Sequence, residues 1–296
     1  MNKGIIYALI TALNFGFLSI AIKVATPFVE PVTIAWIRFS IALTALATYY
    51  AFFERKAFAV LRRPPLIVVF AAIALGLNYL GFITGIKYTS PSIAQVFIQI
   101  GPLLLAISGF VIFKEKATPW QIVGIITAFG GYLVFYNEQI LVLAEDINRY
   151  QKGVLWVIFG GITWTVYTVL QKVGVRNRHP MYLNLIVFGI PALAFIPLVD
   201  FSSLYGLETW QWLLLVFLGL TTLVGYGCLP YALKYLAANK VSVIITSNPL
   251  ITFVTMGILG SVEVSWIEAE KWSAPSIVGA AIVMSGVVLT VASRKR

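Results

Sequence analysis

Ser92-Ile93-Ala94-Gln95-Val96-Phe97-Ile98-Gln99-Ile100-Gly101-Pro102 is the stretch on which the fold turns. It opens an apolar helix running to Phe113, and two glutamines four residues apart share one of its faces. Pro102 lies roughly 15 Å from the helix start at the helical rise, about half of the roughly 30 Å hydrocarbon thickness of a bilayer. Proline has no N–H to give the carbonyl of Ile98, and its ring crowds that carbonyl. Two amide side chains and a freed carbonyl are therefore expected near mid-membrane. The pattern returns at a constant offset of 147 residues: Ser242, Thr246 and Pro249 stand where Gln95, Gln99 and Pro102 stood. Pro102 and Pro249 are the expected hinges of two broken helices.

The whole chain fits that depth. Its 296 residues are 60% hydrophobic and 11% charged, with mean hydropathy +0.92. Water-soluble domains carry about 25% charged residues, so the fold class is an all-α polytopic membrane protein. Ten apolar runs are long enough to span: 4–25, 32–53, 66–86, 92–113, 120–136, 153–170, 182–199, 210–230, 241–262 and 276–292. The first is too long for a signal-peptide core and reads as a retained span. Connections are short; the longest, 137–152, is charged and reads as a non-cytoplasmic linker.

Charge sets the expected orientation. One set of span ends carries 15 cations and two acids, the other six cations and nine acids, or +13 against −3 within the net +10. The positive-inside rule puts both termini in the cytoplasm, and this asymmetry accounts for the basic character without a nucleic-acid partner. Lys3-Gly4, Lys23-Val24 and Pro31 recur as Lys152-Gly153, Lys172-Val173 and Pro180, and Lys87-Tyr88 recurs as Lys234-Tyr235. The chain thus divides into residues 1–136, the linker, and residues 153–296. Five spans per half is odd, so the halves enter the membrane from opposite sides, the inverted repeat common in secondary transporters.

The stretch Pro31-Val32-Thr33-Ile34-Ala35-Trp36-Ile37-Arg38-Phe39 resembles the start of the second span in EamA-type members of the drug/metabolite transporter superfamily. Tyr88, Ser92, Ala94, Pro102-Leu103, Glu115, Gln121, Gly124 and Gly131 resemble the family's first-repeat pattern. Tyr235, Asn248-Pro249-Leu250, Glu263, Gly279 and Gly286 resemble the second. Two departures stand out: Phe15 replaces the tryptophan usual before glycine in the first span, and the last loop is longer. The resemblance covers nearly the whole chain. It implies ten helices, a central cavity, alternating access in the inner (plasma) membrane, and export of amino acids or other small metabolites, with relatives that carry sugar phosphates.

Candidate substrate-binding residues follow from depth and chemistry. Gln95, Gln99, Ser242 and Thr246 either bind substrate at the midplane or join helices, since such groups bond across membrane helices for about 0.6 kcal/mol each. Asn14, its repeat partner Thr163, Asn78 and Tyr79 sit mid-span, where cavity lining competes with packing. Thr163, Tyr167 and Gln171 share a face. Trp164, Tyr167 and Tyr226 lie deep enough to stack on an apolar or aromatic substrate. Arg38, about 10 Å below the outer boundary, either takes a substrate carboxylate or phosphate bidentately or is held by backbone carbonyls, the reading favoured here. Lys23, Lys87, Lys172 and Lys234 are expected to snorkel from span ends. Gly81, Gly85, Gly124 and Gly131 mark close helix contacts.

Absences narrow the chemistry. No acid lies centrally in a span, so no carboxylate proton relay is legible. One histidine, His179, leaves no histidine metal cluster, no Walker lysine loop is present, and no cofactor is expected. The chain reads as a transporter rather than an enzyme. A channel, or a carrier of sugar phosphates and other anions, remains the alternative.

Overall fold

The computed structural model describes residues 3–89, 91–137, 140–141, 147–261 and 273–292. Glu263 and much of the 137–152 linker lie outside them. Among the described residues every regular element is helical. The first half holds α1 (Lys3–Ala25), α2 (Pro31–Phe53), α3 (Leu66–Tyr88), α4 (Pro91–Ile98), α5 (Ile100–Val111) and α6 (Pro119–Phe135). The second holds α7 (Ile147–Gly174), α8 (Pro180–Ala194), α9 (Thr209–Tyr235), α10 (Ala238–Ile245), α11 (Asn248–Ser261) and α12 (Ala274–Ala292). Among the described residues nine spans are long and apolar enough to cross a membrane, and the 17-residue α6 makes a tenth at the short end of the range.

The breaks fall where proline dictates. α4 ends at Ile98 and α5 starts at Ile100, with Gln99 in the turn; α10 ends at Ile245 and α11 starts at Asn248. Each gap sits two to three residues before a proline, just after the carbonyl, Ile98 or Ile245, that the missing N–H leaves without its partner. Proline also starts α2, α6 and α8, the position at which its lost donor costs nothing. α7 begins at Ile147, six residues before the 153 boundary read from the sequence. Residues 147–152 hold neither glycine nor proline, so nothing stops the helix from growing backwards out of the apolar run.

Two residues prove the inversion. Thr89, just past α3, accepts from Lys23 Nζ at the end of α1 through its carbonyl (2.8 Å) and packs against Gly153 at the start of α7. Leu236, just past α9, accepts from Lys172 Nζ at the end of α7 (2.8 Å) and packs against Gly4 at the start of α1. The end of α1 therefore shares a membrane face with the start of α7, and the start of α1 with the end of α7. The halves are antiparallel five-span repeats.

Apolar side chains cover the outer surface as well as filling the interior. Phe70 and Leu133 are 60% and 66% exposed on the outer surface, whereas Arg38, Asn78, Gln95, Gln99 and Thr222 are buried. Hydrocarbon accepts the first set, and only protein can satisfy the second. Lacking a hydrophobic drive between helices, the bundle closes through small residues. A Cβ on Gly81 would meet the Gly160 backbone at 2.8 Å, joining α3 to α7. A Cβ on Gly124 would meet the Gly286 carbonyl at 2.7 Å, joining α6 to α12.

Candidate functional site

A narrow cavity of about 50 Å³ lies where the two broken spans meet α1, α2, α3, α7 and α9. Of the sequence candidates, Arg38, Asn78, Tyr79, Gln95, Gln99, Trp164, Tyr226 and Pro102 line it. Phe15, Leu18, Phe82, Ile83, Ile98, Ile245 and Asn248 complete the wall. Most of the wall, and all of it that bears charge, comes from the first repeat.

Arg38 is 1% exposed. Its Nε donates to the Leu218 carbonyl (3.3 Å) and to Thr222 Oγ1 (3.1 Å), and one terminal nitrogen donates to the Tyr79 hydroxyl (3.2 Å). Tyr79 passes its own proton to Thr222 Oγ1 (3.1 Å), which donates to the Leu218 carbonyl (3.1 Å). This relay orients the guanidinium but supplies no negative charge. Among the described residues no carboxylate lies within 4.0 Å of it; the ion pairs there are Lys56–Glu54, Lys87–Glu30 and Lys172–Glu115. Carbonyl support is thus present, as the favoured sequence reading had it, but it is partial, and the side chain also faces the cavity.

The glutamines contribute the opposite polarity. Gln95 Nε2 donates to Ser19 Oγ (3.0 Å) and Gln99 Nε2 to Asn248 Oδ1 (3.1 Å). Both amide nitrogens are engaged, and both Oε1 atoms are buried without a partner. The walls between are aromatic: Phe15 and Tyr79 approach Tyr226 with ring centroids 5.1 and 5.5 Å apart. Asn78 is held at both ends, donating to the Gly160 carbonyl (2.9 Å) and accepting from the Tyr226 hydroxyl (3.3 Å).

Six candidates do not line the cavity. Ser242 donates to the Pro102 carbonyl, tying one broken span to the other, and Thr246 donates to the Ser242 carbonyl (3.0 Å). Thr163 bonds to its own helix at Phe159 and Gly160. Asn14 packs against Gly225, Tyr167 meets Tyr226 edge-on (5.7 Å), and of the pair Asn248-Pro249 only Asn248 reaches the lining. Short hydroxyls can be satisfied by a carbonyl one turn back, which is why the second repeat's polar set turns inward to packing. Asn248, Ser19 and Thr222 were missed as site residues. Asn248 carried a signal, since it stands beside Pro249 in the family pattern.

At each end of the bundle a lysine of one helix caps the C-terminus of another. Lys23 caps α3 through the carbonyls of Ile86 (3.3 Å) and Thr89, and Lys172 caps α9 through those of Leu233 (3.2 Å) and Leu236. Helix C-termini leave such carbonyls unsatisfied and attract cations. At the Lys172 end Glu115 adds a second tie: its carboxylate accepts from the backbone N–H of Ala238 (2.7 Å) and Asn239 (3.2 Å) at the start of α10, and pairs with Lys172 (3.3 Å). Farther out, the Tyr182 hydroxyl and then Lys56 hold the Glu54 carboxyl below its usual range, and burial pushes His179 down.

A central cavity between inverted five-span repeats, walled by paired broken helices, agrees with the sequence pattern of the EamA-like transporter family, which matches residues 2–137 and 151–292. The chain belongs to that family. A Haemophilus influenzae protein named only as a transporter is 31% identical over 293 residues, covering 99% of this chain and 95% of its own. The inner membrane transporter YhbE of Escherichia coli K12 is 31% identical over 286 residues, covering 96% and 89%. A solved crystal structure superposes with TM-score 0.75 at 18% identity, over 97% of this chain and 96% of the other, a likeness of fold.

Proposed function

We propose that this EamA-family protein is a secondary transporter of a small zwitterionic metabolite, most simply an amino acid. It would move that substrate outward across the inner membrane by alternating access, with both termini cytoplasmic. The observation that carries this reading is the content of the cavity: a guanidinium without an acid, and two amide oxygens without donors. A buried cation is costly unless paired, and a carboxylate entering the cavity supplies the missing charge. The substrate ammonium meets the oxygens of Gln95 and Gln99. Lys23 at one end and Lys172 with Glu115 at the other close the cavity, as an occluded intermediate requires. Pro102 and Pro249 are the points at which the two broken spans bend to open one end at a time. The inner-membrane assignment draws on the name of YhbE, and the direction on the family resemblance.

A thermal-shift panel on purified protein tests this. Common L-amino acids at saturating concentration should stabilise it, by about 2.7 kcal/mol at a hundred times Kd. Amino-acid amides, which lack the carboxylate, and simple amines should not. Stabilisation by sugar phosphates with none by amino acids would replace the zwitterion with an anionic substrate. Single-channel current across a voltage-clamped bilayer would replace the carrier with a channel.

A further inference from the structure

Seven buried side-chain atoms lack a hydrogen-bond partner among the described residues. The oxygens of Gln95 and Gln99 belong to the cavity, and Asn14 Oδ1 packs on Gly225. The other four are the Tyr167 hydroxyl, both polar atoms of Gln171, and Asn184 Oδ1. They form a connected group. Tyr167 and Gln171 are one turn apart on one face of α7. Tyr226, itself in the cavity wall, touches Tyr167 through its ring and accepts from Asn184 Nδ2 (2.9 Å) through its carbonyl. From Trp164 in the wall, Tyr167 lies roughly 4.5 Å and Gln171 roughly 10 Å along the helix axis. That direction leads to the Lys172–Glu115 tie.

The other repeat is apolar at the matching positions. The positions matching Tyr167, Gln171 and Asn184 at the offset of 149 are Leu18, Ile22 and Ala35. Symmetric packing therefore does not require polar groups there. Unpaired buried polar groups are destabilising, and hydrocarbon cannot relieve them. Gln171 is fully buried and wholly unpartnered, so a static role leaves its amide unexplained. Water or a polar solute would satisfy it as soon as this half parts.

We propose that Tyr167, Gln171 and Asn184 line a polar vestibule between the central cavity and the Lys172 end. In the state open to that end, it hydrogen-bonds the small polar substrate on its way to or from Arg38. The inference rests on the alternating-access reading but not on the identity of the substrate. The vestibule is one-sided, so the two half-paths differ in chemistry: the one toward Lys172 holds unpartnered polar atoms, whereas toward Lys23 the matching positions are Leu18 and Ile22 and the polar Ser19 between them is already bonded to Gln95.

The test uses the full chain with Cys228→Ser as background. Gln171→Cys is exposed to a membrane-impermeant, positively charged methanethiosulfonate, first in intact cells and then in inside-out vesicles. Labelling is expected from one side only, the side on which Lys172 lies. It should accelerate several-fold when Glu115→Gln loosens that end, and slow when a mixture of common L-amino acids is added. Asn184→Cys serves as the second position should Gln171→Cys fail to fold, with the same expectation. In parallel, Gln171→Leu should keep the amino-acid thermal shift of the central cavity while initial counterflow slows on the order of tenfold, the kinetic equivalent of one lost hydrogen bond. Absence of labelling from both sides in a folded cysteine variant overturns the proposal, as does full-rate counterflow in Gln171→Leu. If labelling is one-sided but amino acids neither protect nor shift the protein, the vestibule stands and the zwitterion reading of the central cavity falls.

Discussion

Arg38→Gln separates a substrate-binding arginine from a structural one, because the two roles move affinity and stability in different directions. The guanidinium makes three protein hydrogen bonds, at 3.1 to 3.3 Å. A bond from a charged donor is worth about 1.5 kcal/mol or more, the guanidinium also lies over the Tyr79 ring, 4.3 Å from its centroid, and a glutamine amide can keep one bond, to Tyr79 or Thr222. Against the remaining loss of about 3–4 kcal/mol stands relief of a buried charge with no acid beside it, whose effective desolvation cost is several kcal/mol. The unliganded variant is therefore expected to be about as stable as the parent. Affinity behaves otherwise. A carboxylate taken by two charge-assisted bonds contributes about 3 kcal/mol, so the zwitterion Kd should rise on the order of a hundredfold. Calorimetric titration with an amino acid and with its amide closes the cycle: the amide, having no carboxylate, should bind parent and variant equally weakly. An Arg38→Gln protein that melts well below the parent while binding the amino acid at undiminished affinity would refute the reasoning and return Arg38 to a purely structural role.

Glu115→Gln breaks a pair whose side chains are only 12% and 13% exposed, and should cost about 2–3 kcal/mol, less than a fully buried pair because Lys172 keeps its two carbonyls. Adding Lys172→Met should recover part of that loss, and strict additivity in thermal melts would mean that the two residues act independently. Gly81→Ala places a Cβ 2.8 Å from Gly160 backbone and should destabilise by about 1–3 kcal/mol through overpacking. Gly130→Ala, with nothing within 4 Å, should leave the melting temperature unchanged or slightly raised. Pro102→Ala and Pro249→Ala each restore an N–H opposite a freed carbonyl and should slow initial counterflow per folded molecule; an unaltered rate in both removes the hinge role.

The spans, their doubling and their breaks were legible in the residues because each rests on a one-dimensional cause. A bilayer demands about 20 apolar residues in a row. A duplicated unit keeps its spacing, so Lys23 announced Lys172. Proline lacks a donor wherever it stands, so the gaps at Gln99 and at Thr246–Ser247 fall where Pro102 and Pro249 required. Inversion followed from an odd span count and was then visible in the pairs that Thr89 and Leu236 make.

The site was legible only in part, because periodicity names a face and not the neighbour that face meets. Gln95 and Ser242 occupy equivalent positions, yet one looks into the cavity and the other ties the broken spans together. A hydroxyl is satisfied by a single carbonyl of Pro102, whereas an amide engaged through its nitrogen still has an oxygen to place. Leu18, Phe82 and Ile83 in the wall are indistinguishable in sequence from the lipid-facing and packed residues of the same helices. Depth told that Arg38 lies inside the membrane. Only the assembled bundle decided that the groups around it are a tyrosine, a threonine and a carbonyl rather than an acid, because those partners come from α3 and α9, distant in sequence and brought beside α2 by tertiary packing alone.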